Sequence, residues 1–443
     1  MNSLNTFALK CNKKIKFNFD GGDLSSDAGL LLIKEFASKT GLEDLVKSYF
    51  QTKDDASFRH HSDQENLMQV IYQLISAYFQ DDCADELTND PIMTTILEKE
   101  ALASQPTLSR FFQRMDEDTL AQTNQILREM RKRLCPRPPE SMSLDLDTTL
   151  FGTYGHQEGS AFNNHYRQVG YHPILCFDTD TRELLKAELR NGAQYCSNGS
   201  GQFMADLLDE LREDYPGTLF CLRADSGFAS PELYDVLEEK GCKYAIRLKE
   251  NSKLHELVAG ADAALYERTG WTKDALSYAH TCGEFMYQAG SWSHPRRVIF
   301  KIEKPEGQFH HVYTFIVTTM DGLDVYEVLQ YYCGRGRMEN YIQECKSGFG
   351  FTAVSSSSMK VNANRLQVHC LAYNLFNWFR NLVLPEKMRK HHIDTFRIKL
   401  LKIAARMVRS ARYITFKLCS SCPYKQEFTE TLKNIWNLQI CME

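Results

Sequence analysis

No stretch of this 443-residue chain is apolar over the roughly 18 residues that a membrane-spanning helix needs. The apolar stretch from Leu67 to Phe79 is interrupted by Gln69 and Gln73. Met1 to Lys16 holds no continuous apolar segment of the signal-peptide kind. A soluble, intracellular protein with no membrane partner is therefore expected. The cysteines lack a metal-binding pattern: there are 14, scattered from Cys11 to Cys441, and the one close spacing is Cys419-Ser420-Ser421-Cys422. With no second pair or histidine pair nearby, that spacing is poor grounds for zinc, and free thiols in a reducing compartment fit better. Internal repeats and low-complexity tracts are also missing. Overall positive charge is missing too, since the net charge is −5, which argues against a simple nucleic-acid coat.

What the chain does have is ample core material, 43% hydrophobic and 12% aromatic residues. Its length implies two to four domains. Its charge is uneven. Between Arg380 and Lys417 stand 11 Lys and Arg against only Glu386 and Asp394, a local excess suited to phosphate neutralisation or to pairing with acidic segments such as Asp81 to Glu86.

The first 138 residues read as mostly helical. A short strand is expected within Lys13 to Asp20. After Gly21-Gly22, a helix is expected with Ser25 or Ser26 as cap, Asp27 in its first turn and Gly41 ending it. Further helices are expected over residues 63–80, after Ser104, and from Asp116 to Arg133. Cys135-Pro136-Arg137-Pro138-Pro139 then breaks the pattern.

Beyond it, Ser143-Leu144-Asp145-Leu146-Asp147-Thr148 alternates strictly, with both aspartates on one face of a strand. Aspartate is depleted from strands, so a strand carrying two usually uses one. Strands are expected over Tyr171 to Phe177, Glu183 to Leu189, Leu219 to Asp225 and Lys243 to Leu248, with helices over Gly201 to Asp214 and after Pro231. This strand and helix alternation predicts an α/β layer, and Asp225 falls at the carboxyl end of a strand, where sites form. Asn251 to about Asp324 reads as β-rich, with antiparallel strands around Pro305-Glu306-Gly307 and with Trp271 and Trp292. A long apolar-periodic helix from Asn364 to Val383 follows.

The segment Tyr332 to Lys346 predicts one helix. Tyr332, Arg335, Glu339, Ile342 and Lys346 recur at i, i+3, i+7, i+10 and i+14, which is one face at 3.6 residues per turn. That face is either a solvated row containing an Arg335–Glu339 pair or a carboxylate that holds a metal beside cations that grip phosphate. Asp147, Asp225 and Glu339 together offer hard oxygen ligands of the kind that Mg²⁺ takes, and a pair of such ions suits in-line displacement at phosphorus.

The spacing Tyr332, Arg335, Glu339, Lys346 resembles the tyrosine–arginine–glutamate–lysine signature of a large group of insertion-sequence DDE transposases. Asp147 in Leu-Asp-Leu-Asp-Thr-Thr is similar to that group's first aspartate, and Asp225 in Arg-Ala-Asp-Ser-Gly-Phe to its second. Gly21 to Leu30, Gln105 to Arg110 and Tyr154 to Gly159 resemble one bacterial branch. The resemblance spans about Phe19 to Arg380. It implies an α/β fold with a ribonuclease H-like core interrupted by a β-rich insertion. The corresponding regions are a helical DNA-binding or support domain (1–138), the core's first part (139–250), the insertion (251–325), the core's second part with the glutamate (326–384) and a basic helical region (385–443).

By the same resemblance, Asp147, Asp225 and Glu339 are the catalytic, metal-binding triad, with Asp145 left open as the first ligand, and Tyr332, Arg335 and Lys346 contact the DNA backbone. The cofactor implied is Mg²⁺ or Mn²⁺, two ions. The partners implied are the transposon's terminal inverted repeats, the target DNA and a second copy of the chain. The implied location is the bacterial cytoplasm, at the nucleoid. A tryptophan of the insertion, Trp271 or Trp292, would either hold a flipped base or fill a core. Two other functions remain open, a metal-dependent endonuclease of the same fold and a DNA-binding protein without catalysis.

Overall fold

The structure is a computed structural model and describes residues 6–440 apart from 55, 57, 270–276 and 309. The chain forms two compact units.

The first unit comprises Met1–Leu134, Glu344–Val354 and Lys360–Glu443. It is mainly helical, with helices Leu30–Lys39, Leu42–Tyr49, Asp63–Ile75, Gln105–Gln113 and Glu117–Leu134 in its N-terminal part. Ser62 and Glu65 close a reciprocal capping box on the third of these. The long helix Met359–Leu382 is almost wholly buried. The expected cap near Gly21-Gly22 is different in the structure. The helix starts at Leu30, Gly29 is its N-cap, and no side chain caps it. A side chain at Gly29 would meet the Leu400 carbonyl oxygen at 2.0 Å, so close backbone approach sets this position. Asp27 is buried before the helix rather than in its first turn, accepting from the Tyr78 hydroxyl at 2.7 Å and pairing with Lys402 at 2.7 Å. Gly41, at φ +72°, does follow the helix end.

Two members of the basic run are interior. Arg380 is fully buried and donates to both Glu344 oxygens, at 2.9 and 3.0 Å. Arg397 is buried and donates to the carbonyls of Ile75 and Leu74. Residues 405–418, expected in a helical region, form a β-hairpin instead, Ala405–Arg409 with Ile414–Leu418. The Val, Ile, Thr and Phe of this stretch suit strands.

The second unit, Cys135–Gln343 with Ser355–Met359, is built on one eight-stranded sheet. Its strands are β1 (Ser141–Thr148), β2 (Ile174–Asp178), β3 (Leu184–Glu188), β4 (Leu219–Ala224), β5 (Lys243–Leu248), β6 (Ala279–Tyr287), β7 (Arg296–Lys304) and β8 (Val312–Thr318). The order is β6-β7-β8-β5-β4-β1-β2-β3. β1, β4 and β5 are parallel, and the other pairings are antiparallel.

The helices of this unit are α1 (Ser200–Asp214), α2 (Pro231–Glu239), α3 (Ser252–Thr269), α4 (Val325–Cys333) and α5 (Gly336–Gln343). The connections β4–α2–β5 and β3–α1–β4 are the crossovers that parallel pairing demands. One sheet face buries Leu144, Leu146, Leu222 and Ala224 with Phe203, Leu207, Leu233 and Leu254 from α1, α2 and α3. The other buries Ala245, Ile299 and Ile316 against Val328 and Leu329 of α4. Asp145, Asp147 and Arg223 project on this second face, one residue out of phase with the leucines.

The region after Asn251 opens with α3 rather than with strands, because Leu254, Val258 and Leu265 form a buried helical face. β6, β7 and β8 then prolong the sheet, and Gly307 turns β7 into β8 at φ +73°. Trp271 lies outside the described residues.

Candidate active site

The two aspartate strands are neighbours, parallel and in register: Asp145 lies beside Arg223. Two residues further along each chain, Asp147 and Asp225 therefore leave from the same end of adjacent parallel strands, the carboxyl end, where the backbone opens into loops. Asp225 also caps a short 3₁₀ turn, accepting from the Gly227 amide at 2.8 Å, which fixes its side chain.

The site's cation is Arg335. Its Nη2 donates to Asp147 Oδ2 at 2.8 Å and stands 3.9 Å from Asp225 Oδ2. Burial works against the guanidinium's charge, but Asp147 and Asp225 hold it cationic. Burial is also the main cause that pushes the Asp147 carboxyl up to about 6. Arg335 opposes that rise, while the charges of Asp225 and Glu339 add to it. Asp147 thus senses both of the other acids of the expected triad.

Asp145 differs from Asp147 by two residues and by its whole environment. It is fully buried, accepts from Arg223 Nε and Nη2 at 2.8 Å each, and accepts from Thr179 Oγ1 at 2.7 Å. The bidentate pair with Arg223 and the Thr179 bond engage both of its oxygens. The same Arg223 donates to the Tyr331 carbonyl at 2.7 Å, and the Tyr331 hydroxyl donates to the Cys221 carbonyl. The Tyr341 hydroxyl donates to the Thr179 carbonyl at 3.0 Å. One buried network thereby ties α4 and α5, the helices on either side of Arg335, to β1 and β4.

The segment Tyr332 to Lys346 is not one regular helix. α4 ends at Cys333, Gly334 and Arg335 form a turn closed by an Arg335 amide to Tyr332 carbonyl bond, α5 covers Gly336–Gln343, and a π-helical turn, Glu344–Gly348, follows. Two glycines flanking Arg335 lower helix propensity there. An added Cβ at Gly334 would meet Arg223 Nη1 at 2.2 Å, so the turn can form only without a side chain. The wider π turn breaks the 3.6-residue phase before Lys346. Lys346 belongs to the first unit and is half-buried, which lowers its ammonium pKa. Glu339 is exposed on α5, and Tyr332 is half-buried, its hydroxyl pKa raised by burial and by Asp225 against the pull of Arg335 and Arg247.

Several neighbours escaped the reading of the sequence. The charges of Asp147 and Asp225 add to burial in raising Tyr166, to about 12, and Cys196. Cys196 Sγ is 3.3 Å from Thr148 Oγ1. Lys249, one residue past the carboxyl end of β5, donates to Tyr195 at 2.7 Å and senses Asp225. A cation just past the third parallel strand was the one available signal. Trp292 is a core residue, 8% exposed and packed edge-on against Tyr234 and Tyr287. It also lines a cavity of about 300 Å³ with Tyr195, Ser226, Lys249 and Asn251. His172 is buried, its Nδ1 2.8 Å from the Gln194 carbonyl.

The donor set of Asp147, Asp225 and Glu339 is all oxygen and suits a hard divalent ion. Their carboxylates are not drawn together as a closed cage. Among the described residues, the three ligand atoms that do lie within 4.8 Å of one another are those of Asp235, Glu238 and His294, elsewhere in the unit. In that cluster Arg296 already neutralises both acids. At Asp147 and Asp225 it is the Arg335 guanidinium that bridges the carboxylates.

A profile of the family described as transposase DDE domain group 1 matches residues 7–440. Among solved structures, the chain is similar to the piggyBac transposase synaptic complex with hairpin DNA, seen by electron cryo-microscopy, at 13% identity and a TM-score of 0.43, over 85% of this chain and 80% of that one. No curated protein sequence matches. The family match runs through both aspartates, the Arg335 turn and Glu339, and the chain belongs to the DDE transposase family as a metal-dependent enzyme of that type.

Proposed function

We propose that this transposase cuts transposon ends and joins them to target DNA by two-metal-ion phosphoryl transfer, with Asp147, Asp225 and Glu339 as the metal ligands. The observation that carries the reading is the shared electrostatics of the three acids. Asp147 and Asp225 stand at the ends of adjacent parallel strands, and the charges of Asp225 and Glu339 both act on Asp147. Divalent ions bound there, Mg²⁺ or Mn²⁺, would activate an attacking oxygen and stabilise the leaving one during strand cleavage and during attack by the freed 3′-hydroxyl.

The chain's own residues position the DNA. Arg335, displaced from Asp147 by such ions, is free to donate to a backbone phosphate. Tyr332 and Lys346 are assigned to the same backbone, and Lys249 adds a cation past β5. The buried Asp145–Arg223 pair keeps α4 and α5 in place while Arg335 changes partners.

The strand order β3-β2-β1-β4-β5, antiparallel and then parallel, supports a ribonuclease H-like core, with β6 to β8 as its insertion. The tyrosine–arginine–glutamate–lysine group and a bacterial origin are part of this reading, as is a homodimer that pairs two DNA ends.

The test is incubation of the full chain with its flanking terminal repeats and Mg²⁺ or Mn²⁺, read on a gel for nicked and joined products. Nicking and joining, both lost in Asp225→Ala, are expected. Cutting without joining would make the protein an endonuclease, and binding without cutting would make it a DNA-binding protein.

A further inference from the structure

Four of the exposed cations of the C-terminal region, Arg406, Arg409, Arg412 and Lys417, stand on one hairpin. From Thr395 to Gln426 the chain has no Asp or Glu. Within it, the hairpin Ala405–Arg409 and Ile414–Leu418 forms a three-stranded sheet with Leu24–Ser25, in which Ala405–Arg409 is the middle strand.

The hairpin is two-faced with period 2. Ala405 and Met407 are buried on one face, and Phe416 and Leu418 opposite them are half-buried. On the other face Arg406, Val408, Thr415 and Lys417 are exposed, and Arg409, Arg412 and Tyr413 are exposed at the tip. Among the described residues, Arg406, Arg409, Arg412 and Lys417 make no ion pair.

Two details set this face apart from an ordinary solvated one. Arg406 and Lys417 are direct cross-strand partners, and like charges facing each other across a pair of strands destabilise it. Lysine on an edge strand guards against unwanted strand pairing, which covers Lys417 but not Arg406 on the middle strand. In addition, the Arg406 guanidinium lies over Gly22, its Nε 3.3 Å from where a Cβ would be, and Gly22 has φ +81°. A side chain at position 22 is thus strained by conformation, and the guanidinium would have to give by a few tenths of an ångström to admit it. The arginine head lies over Gly22 with no carboxylate to neutralise it.

We propose that this exposed hairpin face and the tip that continues it are a second DNA-contact surface, in which Arg406 and Lys417 on the face and Arg409 and Arg412 at the tip bind backbone phosphates of duplex DNA without reading its sequence. A polyanion resolves the like-charge pairing that the free protein tolerates, and the absence of acidic side chains over the whole segment favours phosphates over a mixed-charge protein surface. The inference rests on the reading of the protein as one that acts on DNA.

The experiment uses the full chain and a short duplex of arbitrary sequence, with binding followed by fluorescence anisotropy across a salt series. The variants are Arg406→Gln, Lys417→Gln and the pair Arg409→Gln with Arg412→Gln. Each lost contact is expected to reduce the slope of log affinity against log salt by about 1, equally for every duplex sequence. The melting temperature of Arg406→Gln should be unchanged or slightly higher, since a like-charge pair is relieved, so misfolding is separable from lost binding. Slopes and affinities equal to wild type, with or without aggregation of Lys417→Gln, would overturn the proposal and leave the charges as edge protection. If wild type nicks and joins transposon ends while these slopes are unchanged, only the hairpin inference falls. If wild type binds no duplex at all, both fall.

Discussion

Arg335 holds Asp147 at 2.8 Å and reaches toward Asp225 at 3.9 Å, so one guanidinium balances two carboxylates that stand side by side. The predictions below follow from that relationship and from the buried network beneath it.

In its charged form the buried Asp147 carboxylate is a liability to the fold. Its carboxyl has an ordinary pKa of 3.8 that burial raises to about 6. The folded chain therefore holds this proton more tightly than the unfolded one. The favourable contribution of the protonated form is complete below about pH 4 and is lost as pH rises toward 6. Asp147→Asn removes that loss. We expect the variant to be more stable than wild type above pH 6, by on the order of 3 kcal/mol with the Arg335 attraction already counted in the shift, and equal to it near pH 4. Thermal melts across pH 4 to 8 measure this, and strand cleavage by the same variant should be abolished.

The divalent ions proposed at Asp147 would compete with its proton. Binding of Mn²⁺, followed by calorimetry, should be weak near pH 5 and strengthen as pH rises past 6. Arg335 opposes the upward shift of Asp147, so Arg335→Ala should move the midpoint of this dependence to higher pH. An unmoved midpoint would show that the guanidinium does not govern Asp147.

Asp145 and Asp147 should behave as opposites. Asp145→Ala strands Arg223 in the interior, and breaking a buried pair in this way costs about 3–5 kcal/mol. Urea unfolding should register the loss. Mn²⁺ binding to the protein that remains folded should persist, because Asp145 is spent on Arg223 and Thr179. If Asp145→Ala removes ion binding at full stability, the assignment of the two aspartates is reversed.

Gly334 and Gly336 flank Arg335 but meet different surroundings. An added Cβ at Gly334 collides with Arg223, whereas nothing lies within 4 Å of one at Gly336. Gly334→Ala should destabilise by roughly 1–3 kcal/mol, as overpacking does, and should reduce cleavage by displacing the Arg335 turn. Gly336→Ala, at a helix start with open space, should be neutral or stabilise by up to about 1 kcal/mol. Paired unfolding curves test both.

Much of the second unit was legible because its signals are local. The alternation Leu144-Asp145-Leu146-Asp147 encodes a strand with acids on one face, since pleating alone separates neighbours. Pro231 and Ser230 mark the start of α2, and Pro305-Glu306-Gly307 marks the turn between β7 and β8. α3 was missed because its buried residues, Leu254, Val258 and Leu265, are sparse within an otherwise polar stretch. The hairpin at residues 405–418 was hidden by the density of charges around it.

By itself, then, the sequence determined the strands that carry the aspartates, where the aspartates fall on them, and the acid and cation types that a phosphoryl-transfer site needs. Which of two aspartates two residues apart faces the open end was decided only by the tertiary structure. A period of 2 points both the same way, and it took Arg223 on the neighbouring strand, in register with Asp145, to claim one and leave the other. Likewise, helical spacing put Tyr332 through Lys346 on a single face. The collision of any Gly334 side chain with Arg223 and the π turn at Glu344 divided that face, because long-range packing can overrule the phase that local propensity sets.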